Sequence, residues 1–348
     1  MTGPGRTESA RKPTAGHHEA DPTALLHAAT LALAGAGLLA GVTGAAVAGL
    51  LRQARSTARR IEHAQHEVGP VLTQDPALAE AALTAARLDG SYAPSTWGAV
   101  GGAAQQAADA TAQRWLPRGD GVYGPTGELV DGAPDGAGGV LRLAMLGDST
   151  AVGFGCTVAD ELPGVMLARG LARAAGRPVA LRTLGVVGVG AADLDRQLAL
   201  VGPGGADVVV VVVGANDIRD KVSPHLSARL LGAMVGEATR AGMPVAVGTC
   251  PDFGVIGAIP QPLRTLLRTW SHRLADQQAR EVIRAGGEPV AIGQLVSPEF
   301  AGRPELFAAD RFHPSGAGYA RAVDALLPAV LRAVLGGDEV PRPARPAE

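Results

Sequence analysis

From residue 140 onward the chain repeats one pattern: a short apolar run, a turn of small residues, then a stretch with helical periodicity. The apolar runs fall at 141–146, 179–184 (VALRTL), 207–213 (DVVVVVV), 244–249 (PVAVGT) and 289–292. Helical stretches separate them at 161–175, 191–201, 223–241 and 263–284, and a last one covers 316–335. In the fourth, Leu263, Leu266, Leu267, Trp270 and Leu274 recur at helical spacing. Runs that are apolar throughout must be covered on both faces, and strands separated by helices are joined by crossovers. The expectation is a three-layer α/β/α domain over residues 140–335, built on a mostly parallel five-stranded sheet.

The ligand site of such a sheet lies at the carboxyl ends of its strands. Gly147, Asp148 and Ser149 follow the first run; Gly188 and Gly190 come after the second. Gly214, Ala215, Asn216 and Asp217 follow the third, Cys250, Pro251 and Asp252 the fourth, and Asp310 to Pro314 lie beyond the fifth. A hydroxyl, an imidazole, a carboxylate to orient it, glycine amides and a carboxamide are the groups that acyl transfer requires. Alone, Ser149 would read as a helix cap and Asp310 as a turn residue. It is their combination on one edge of a sheet that points to chemistry. Asp148 and Asp217 are read as partners of loop backbone.

The stretches MLGDSTAVGFG, VVGVGAADL, VVVGANDI and DRFHPSGAGY resemble, in order, the four blocks of the SGNH hydrolases, also called GDSL esterases and lipases. The resemblance covers roughly residues 141–335 and implies a flavodoxin-like sheet and a serine esterase. It places the nucleophile at Ser149, the general base at His313 and the carboxylate that orients it at Asp310. It places the oxyanion donors at the N–H groups of Ser149 and Gly188 and the side-chain amide of Asn216. The asparagine that often precedes the second-block glycine is missing here, where Leu184 and Gly185 stand. Gly190 is therefore the rival of Gly188. The apolar segments 253–262 and 299–307, the latter with Phe300, Leu306 and Phe307, are expected to line an acyl pocket.

Other readings compete. An acyltransferase would use the same residues, and a noncatalytic binding domain would keep the site without the reaction. LGVVGVGAADL suggests a dinucleotide fingerprint, but a start at Gly188-Val189-Gly190 puts Asp193 where the third glycine belongs. No G-x-S-x-G elbow, H-E-x-x-H or Cys/His cluster is present, so neither a metal nor a cofactor is expected. The substrate class is a small-molecule, lipid or acylated-glycan ester.

The remainder of the chain divides by composition. Residues 1–23 mix charge, glycine and proline and read as a disordered tail, as do residues 336–348. Within 24–51, residues 28–51 run for 24 positions without a charge, enough as a helix to cross about 30 Å of hydrocarbon. Gly37 and Gly41 have the GxxxG spacing of close helix approach. A transmembrane or signal-anchor helix is expected here, making the protein membrane-anchored. By the positive-inside rule Arg52, Arg55, Arg59 and Arg60, against only Arg11 and Lys12 before the segment, would hold the following chain on the cytoplasmic side, and the side of the membrane stays open. The rival is a cleaved signal ending near Ala46–Ala48, giving a secreted protein. Residues 52–139 read as a helical and linker region, ending in the turn-rich PRGDGVYGPTGELVDGAPDGAGG.

Basic and acidic residues number 31 and 33, a formal net charge of −2, so no global field recruits nucleic acid. The two cysteines, Cys156 and Cys250, are too few for a disulfide framework and read as core residues.

Overall fold

The computed structural model of the chain describes residues 49–50, 52–57, 59–60, 117, 119–130 and 139–335. Two units divide at Arg52. In the first, Met1–Arg52, the described residues 49, 50 and 52 are helical. The tails expected over 1–23 and 336–348, and the apolar segment 28–51 apart from residues 49 and 50, lie outside the described residues. Among the described residues no helix is long and apolar enough to cross a membrane.

The second unit is built on a sheet. Its parallel part consists of β3 (Leu141–Gly147), β4 (Val179–Thr183), β5 (Val208–Val212), β6 (Val245–Gly248) and β7 (Glu288–Val290). These are the five strands expected from the apolar runs. They stand in the order β4-β3-β5-β6-β7. The sheet nevertheless has seven strands, because β1 (Gly121–Tyr123) and β2 (Leu129–Val130) add an antiparallel hairpin beside β4. This corrects the five-strand expectation and, for residues 121–130, the linker reading; residues 52–57 and 59–60 are helical. The physical reason is the edge: β4 would otherwise present unpaired backbone groups to solvent. Tyr123 pairs opposite Val179 and is buried, and its hydroxyl donates to the Gly119 carbonyl at 2.6 Å. The Asp120 carboxylate accepts the Thr183 N–H at 2.8 Å.

Helices α1 (Ser149–Val152) and α2 (Pro163–Ala175) follow β3, and α3 (Leu194–Val201) follows β4. Next come α4 (Ala215–Arg219) and α5 (Pro224–Arg240) after β5, and α6 (Leu263–Arg284) after β6. The short α7 (Ile292–Leu295) and α8 (Ser297–Phe300) and the long α9 (Gly316–Leu335) complete the unit. Side-chain alternation on the strands sorts them into layers. Leu141, Leu143 and Met145 of β3 and Val208 and Val210 of β5 join Leu167 and Leu171 of α2 and Leu326 and Val330 of α9. Ala144, Leu146, Val209 and Val211 join Leu194 and Leu198 of α3 and Leu231 and Val235 of α5 on the other face. Both faces are thus dry, as the unbroken valine run of β5 requires.

The chain leaves β3 for β4 on one side and then crosses back to β5 on the other. Numbered by sequence, the parallel strands have the 2-1-3-4-5 order, whose crevice opens between the first and third strands, here β3 and β5. Ser149 follows one and Asn216 the other.

Candidate active site

Gly147 ends β3 with φ at +130°, and a Cβ there would run into the Val212 carbonyl oxygen. Only glycine allows the chain to turn off the strand this close to β5. Asp148 then caps α1, its carboxylate accepting the Thr150 N–H at 2.9 Å, and its own N–H donates to the Val212 carbonyl at 3.1 Å. Ser149 begins the helix with its backbone fixed on both sides.

His313 reaches it from the loop before α9. Its Nε2 lies 2.9 Å from the Ser149 Oγ, and its Nδ1 lies 2.6 Å from the Asp310 Oδ2. The three residues are separated by up to 164 positions in sequence and each is almost fully buried. Asp310 Oδ1 also accepts the N–H groups of Phe312 at 2.9 Å and His313 at 3.0 Å. Burial raises the Asp310 pKa, but the His313 hydrogen bond and charge and the two backbone donors outweigh it, so the net direction is down. An ionised carboxylate on Nδ1 fixes the imidazole with Nε2 facing the hydroxyl. The ring is flanked by Phe154, with centroids 4.6 Å apart, and by Phe312 at 5.1 Å. Tyr319 of α9 ties the first of these down by donating to the Phe154 carbonyl at 2.8 Å.

The second and third blocks meet beside the serine. Asn216 Nδ2 donates to the Val189 carbonyl at 2.8 Å, which leaves its other N–H for a ligand. Arg219 donates to the Gly188 carbonyl at 3.0 Å. The Gly190 N–H donates to Asp193 at 3.3 Å, whereas the N–H groups of Gly188 and Ser149 meet no acceptor among the described residues. Asp217 accepts the Ala191 N–H with both oxygens at 3.2 Å, so it and Asp148 hold loop backbone, as expected. Burial pushes the Asp217 carboxyl up to about 6, assisted by the charges of Asp148 and Asp220 and opposed by the Ala191 hydrogen bond.

An apolar cavity of about 90 Å³ opens beside Ser149 and His313. Phe253, Val255 and Ile256 line it from one of the two expected segments, and Phe300 and Phe307 from the other. Leu306 does not; it is buried in the core. Asp252, placed at the end of the fourth run by the sequence, had been given no role. It lines the cavity with its carboxylate held by Gly254 N–H at 2.6 Å, His272 at 3.1 Å and Arg268 at 3.3 Å, the last two on one face of α6. Their i, i+4 spacing was legible, but nothing in the sequence joined α6 to Asp252, eleven residues before the helix begins. Cys156 and Cys250 are both buried and free. Among the described residues no group of three His, Cys, Asp or Glu side chains could hold a metal ion.

Residues 145–321 match the GDSL-like Lipase/Acylhydrolase family. Over 237 residues the chain is 43% identical to a GDSL-like esterase of Mycobacterium tuberculosis, an alignment covering 66% of this chain and 75% of that protein. Among solved structures, an extracellular lipase from Streptomyces rimosus superposes with a TM-score of 0.45 at 16% identity, covering 56% of this chain and 99% of the other. For a phospholipase A1 from Streptomyces albidoflavus the values are 0.44, 15%, 54% and 97%.

Proposed function

The chain belongs to the GDSL-like lipase/acylhydrolase family and is an ester-hydrolysing enzyme, and from that premise we propose that it works through an acyl-Ser149 intermediate. The observation that carries the reading is the buried hydrogen-bonded line from Asp310 through His313 to Ser149, at 2.6 and 2.9 Å.

In the first half-reaction His313 Nε2 takes the Ser149 proton as Oγ attacks the ester carbonyl carbon. The negative charge that develops on the carbonyl oxygen is met by the N–H groups of Ser149 and Gly188 and the second N–H of Asn216. Collapse breaks the bond to the alkoxy oxygen, which receives the proton from His313 and leaves as the alcohol. In the second half a water gives a proton to His313, attacks the acyl carbon, and releases the carboxylic acid while the proton returns to Ser149 Oγ. Asp310 stays ionised throughout and stabilises the imidazolium.

The cavity supports a choice of acyl group. Its lining is almost entirely hydrocarbon, and its volume of about 90 Å³ is below the roughly 150 Å³ of an apolar cavity that accepts a benzene ring. A short unbranched acyl group fits it, with the alcohol on the solvent side. Turnover of p-nitrophenyl acetate and butyrate by wild type and Ser149→Ala tests the reading: the variant is expected to be inactive while folded, and normal turnover would overturn it. We also propose, from the sequence, that residues 28–51 anchor the enzyme to a membrane. Carbonate extraction of membranes tests this, with release into the soluble fraction as the contrary result.

A further inference from the structure

Two buried glutamines break the apolar faces of their helices. On α3, Gln197 sits among Leu194, Leu198 and Val201, and on α6, Gln278 sits midway between Leu274 and Val282 at four-residue intervals. Gln197 is 3% exposed and Gln278 is fully buried. A carboxamide in such a place is unfavourable unless all its hydrogen bonds are made, and both are matched to main chain rather than to side chains.

Gln197 pairs with both polar groups of one residue. The Gly147 N–H donates to its Oε1 at 2.7 Å, and its Nε2 donates to the Gly147 carbonyl at 2.9 Å. The same carbonyl accepts the Val186 N–H at 3.0 Å. Gly147 is where β3 turns away from its neighbours, two residues before Ser149. The side chain thus supplies the paired amide edge that a neighbouring strand would supply elsewhere.

Gln278 makes the corresponding bridge on the other side of the crevice. The Cys250 N–H donates to its Oε1 at 2.8 Å, and its Nε2 donates to the Val213 carbonyl at 3.0 Å. The β5–β6 ladder ends at Val212 and Gly248, so Gln278 extends the connection past its end, three residues before Asn216. Gly214, between them, has φ at +138° and packs directly against the Gln278 amide.

We propose that Gln197 and Gln278 are positioning residues for the reaction, Gln197 fixing the nucleophile Ser149 and Gln278 fixing the oxyanion amide of Asn216. This rests on the acyl-Ser149 reading. Neither side chain touches substrate. Each removes the main-chain freedom that would remain where the strand ladders stop, and displacements of about 1 Å in such groups can lower rates about a hundredfold.

The test uses the full-length chain, with Ser149→Ala as the control for the underlying reading. Gln197→Leu keeps the volume and removes both hydrogen bonds; kcat and the rate of fluorophosphonate labelling are expected to fall together by about tenfold or more, with KM within about twofold. Gln197→Glu keeps the acceptor for the Gly147 N–H and regains the donor only as the neutral acid, whose formation burial favours. Its rate relative to wild type at the same pH is expected to rise between about pH 8 and about pH 6, while the Gln197→Leu ratio stays flat. Gln278→Leu is expected to lower kcat about tenfold, and by much less when Asn216→Ala is already present.

A folded Gln197→Leu with kcat within about twofold of wild type overturns the assignment of Gln197, as does a Gln197→Glu ratio that is flat and as low as that of Gln197→Leu. Should Gln197→Leu fail to fold, the Gln197→Glu ratio decides. Failure of both to fold makes the residue a scaffold element only and also overturns the assignment. A Gln278→Leu that is fully active, that fails to fold, or whose effect simply adds to that of Asn216→Ala overturns the second half. An active Ser149→Ala would instead overturn the acyl-enzyme reading itself.

Discussion

Asp310 holds His313 with both carboxylate oxygens, Oδ2 against the ring Nδ1 at 2.6 Å and Oδ1 on the backbone N–H of the same residue at 3.0 Å. One side chain therefore fixes the imidazole at its tip and at its root. Replacing it by asparagine puts a neutral group against Nδ1 and can favour the wrong ring tautomer. Asp310→Asn is expected to lower kcat by about 10³–10⁴-fold with KM little changed, as for the equivalent change in other triads. Steady-state kinetics on a p-nitrophenyl ester check this.

The same carboxylate makes a pH prediction for stability. Its folded-state pKa is depressed, so its contribution is present above the unfolded value of about 3.9 and is lost as pH falls through the lower folded value. The stability difference between wild type and Asp310→Asn is therefore expected to shrink on acidification below about pH 4, measured by urea unfolding.

Asp217 has the opposite sign. Its pKa is raised from 3.8 to about 6, so the folded state binds a proton that the unfolded state has lost, and stability falls as pH rises through that window. The penalty is complete above the folded value and is at most about 3 kcal/mol. Asp217→Asn keeps one acceptor for the Ala191 N–H and removes the titration. Its stability relative to wild type is expected to increase from pH 4 to pH 7, read from thermal melts of both proteins across the range.

Asn216, proposed above as an oxyanion donor, is tied to the second-block loop by its 2.8 Å hydrogen bond to the Val189 carbonyl. Asn216→Ala removes that link and the free N–H together. A loss in kcat of about 10²–10³-fold is expected, with a cooperative melt retained.

Ala322 lines the cavity from α9. Ala322→Leu adds hydrocarbon where the acyl group is placed, and turnover of the butyrate ester is expected to fall more than that of the acetate. A factor of about 10 to 200 per methylene is the scale for such discrimination in an apolar pocket. Equal losses on both esters would place the acyl group elsewhere.

The parallel core was legible in the sequence because its signals are strong and local. Five consecutive valines in β5, flanked by helices, leave little choice but a strand covered on both faces. The helix over Leu263–Arg284 has the bounds that its leucine spacing suggests. The β1–β2 hairpin was not legible, since strands of three and two residues carry no periodicity and form only because β4 offers an edge. Ser149, Asn216 and His313 could be picked out by chemistry and order, whereas the hydrogen bond from the Gly190 N–H to Asp193 had no signal in the sequence. Gln197 and Gln278 escaped because a glutamine on a helix gives no sign of its partner; each is bonded to backbone 50 and 65 residues away.

The central claim is that Ser149 carries the acyl group. Incubation with a fluorophosphonate, followed by intact-mass measurement and peptide mapping, tests it most directly. One adduct per chain is expected, on the peptide containing Ser149, absent from Ser149→Ala and formed far more slowly by His313→Ala. An adduct on another residue, or undiminished labelling of folded Ser149→Ala, would contradict it.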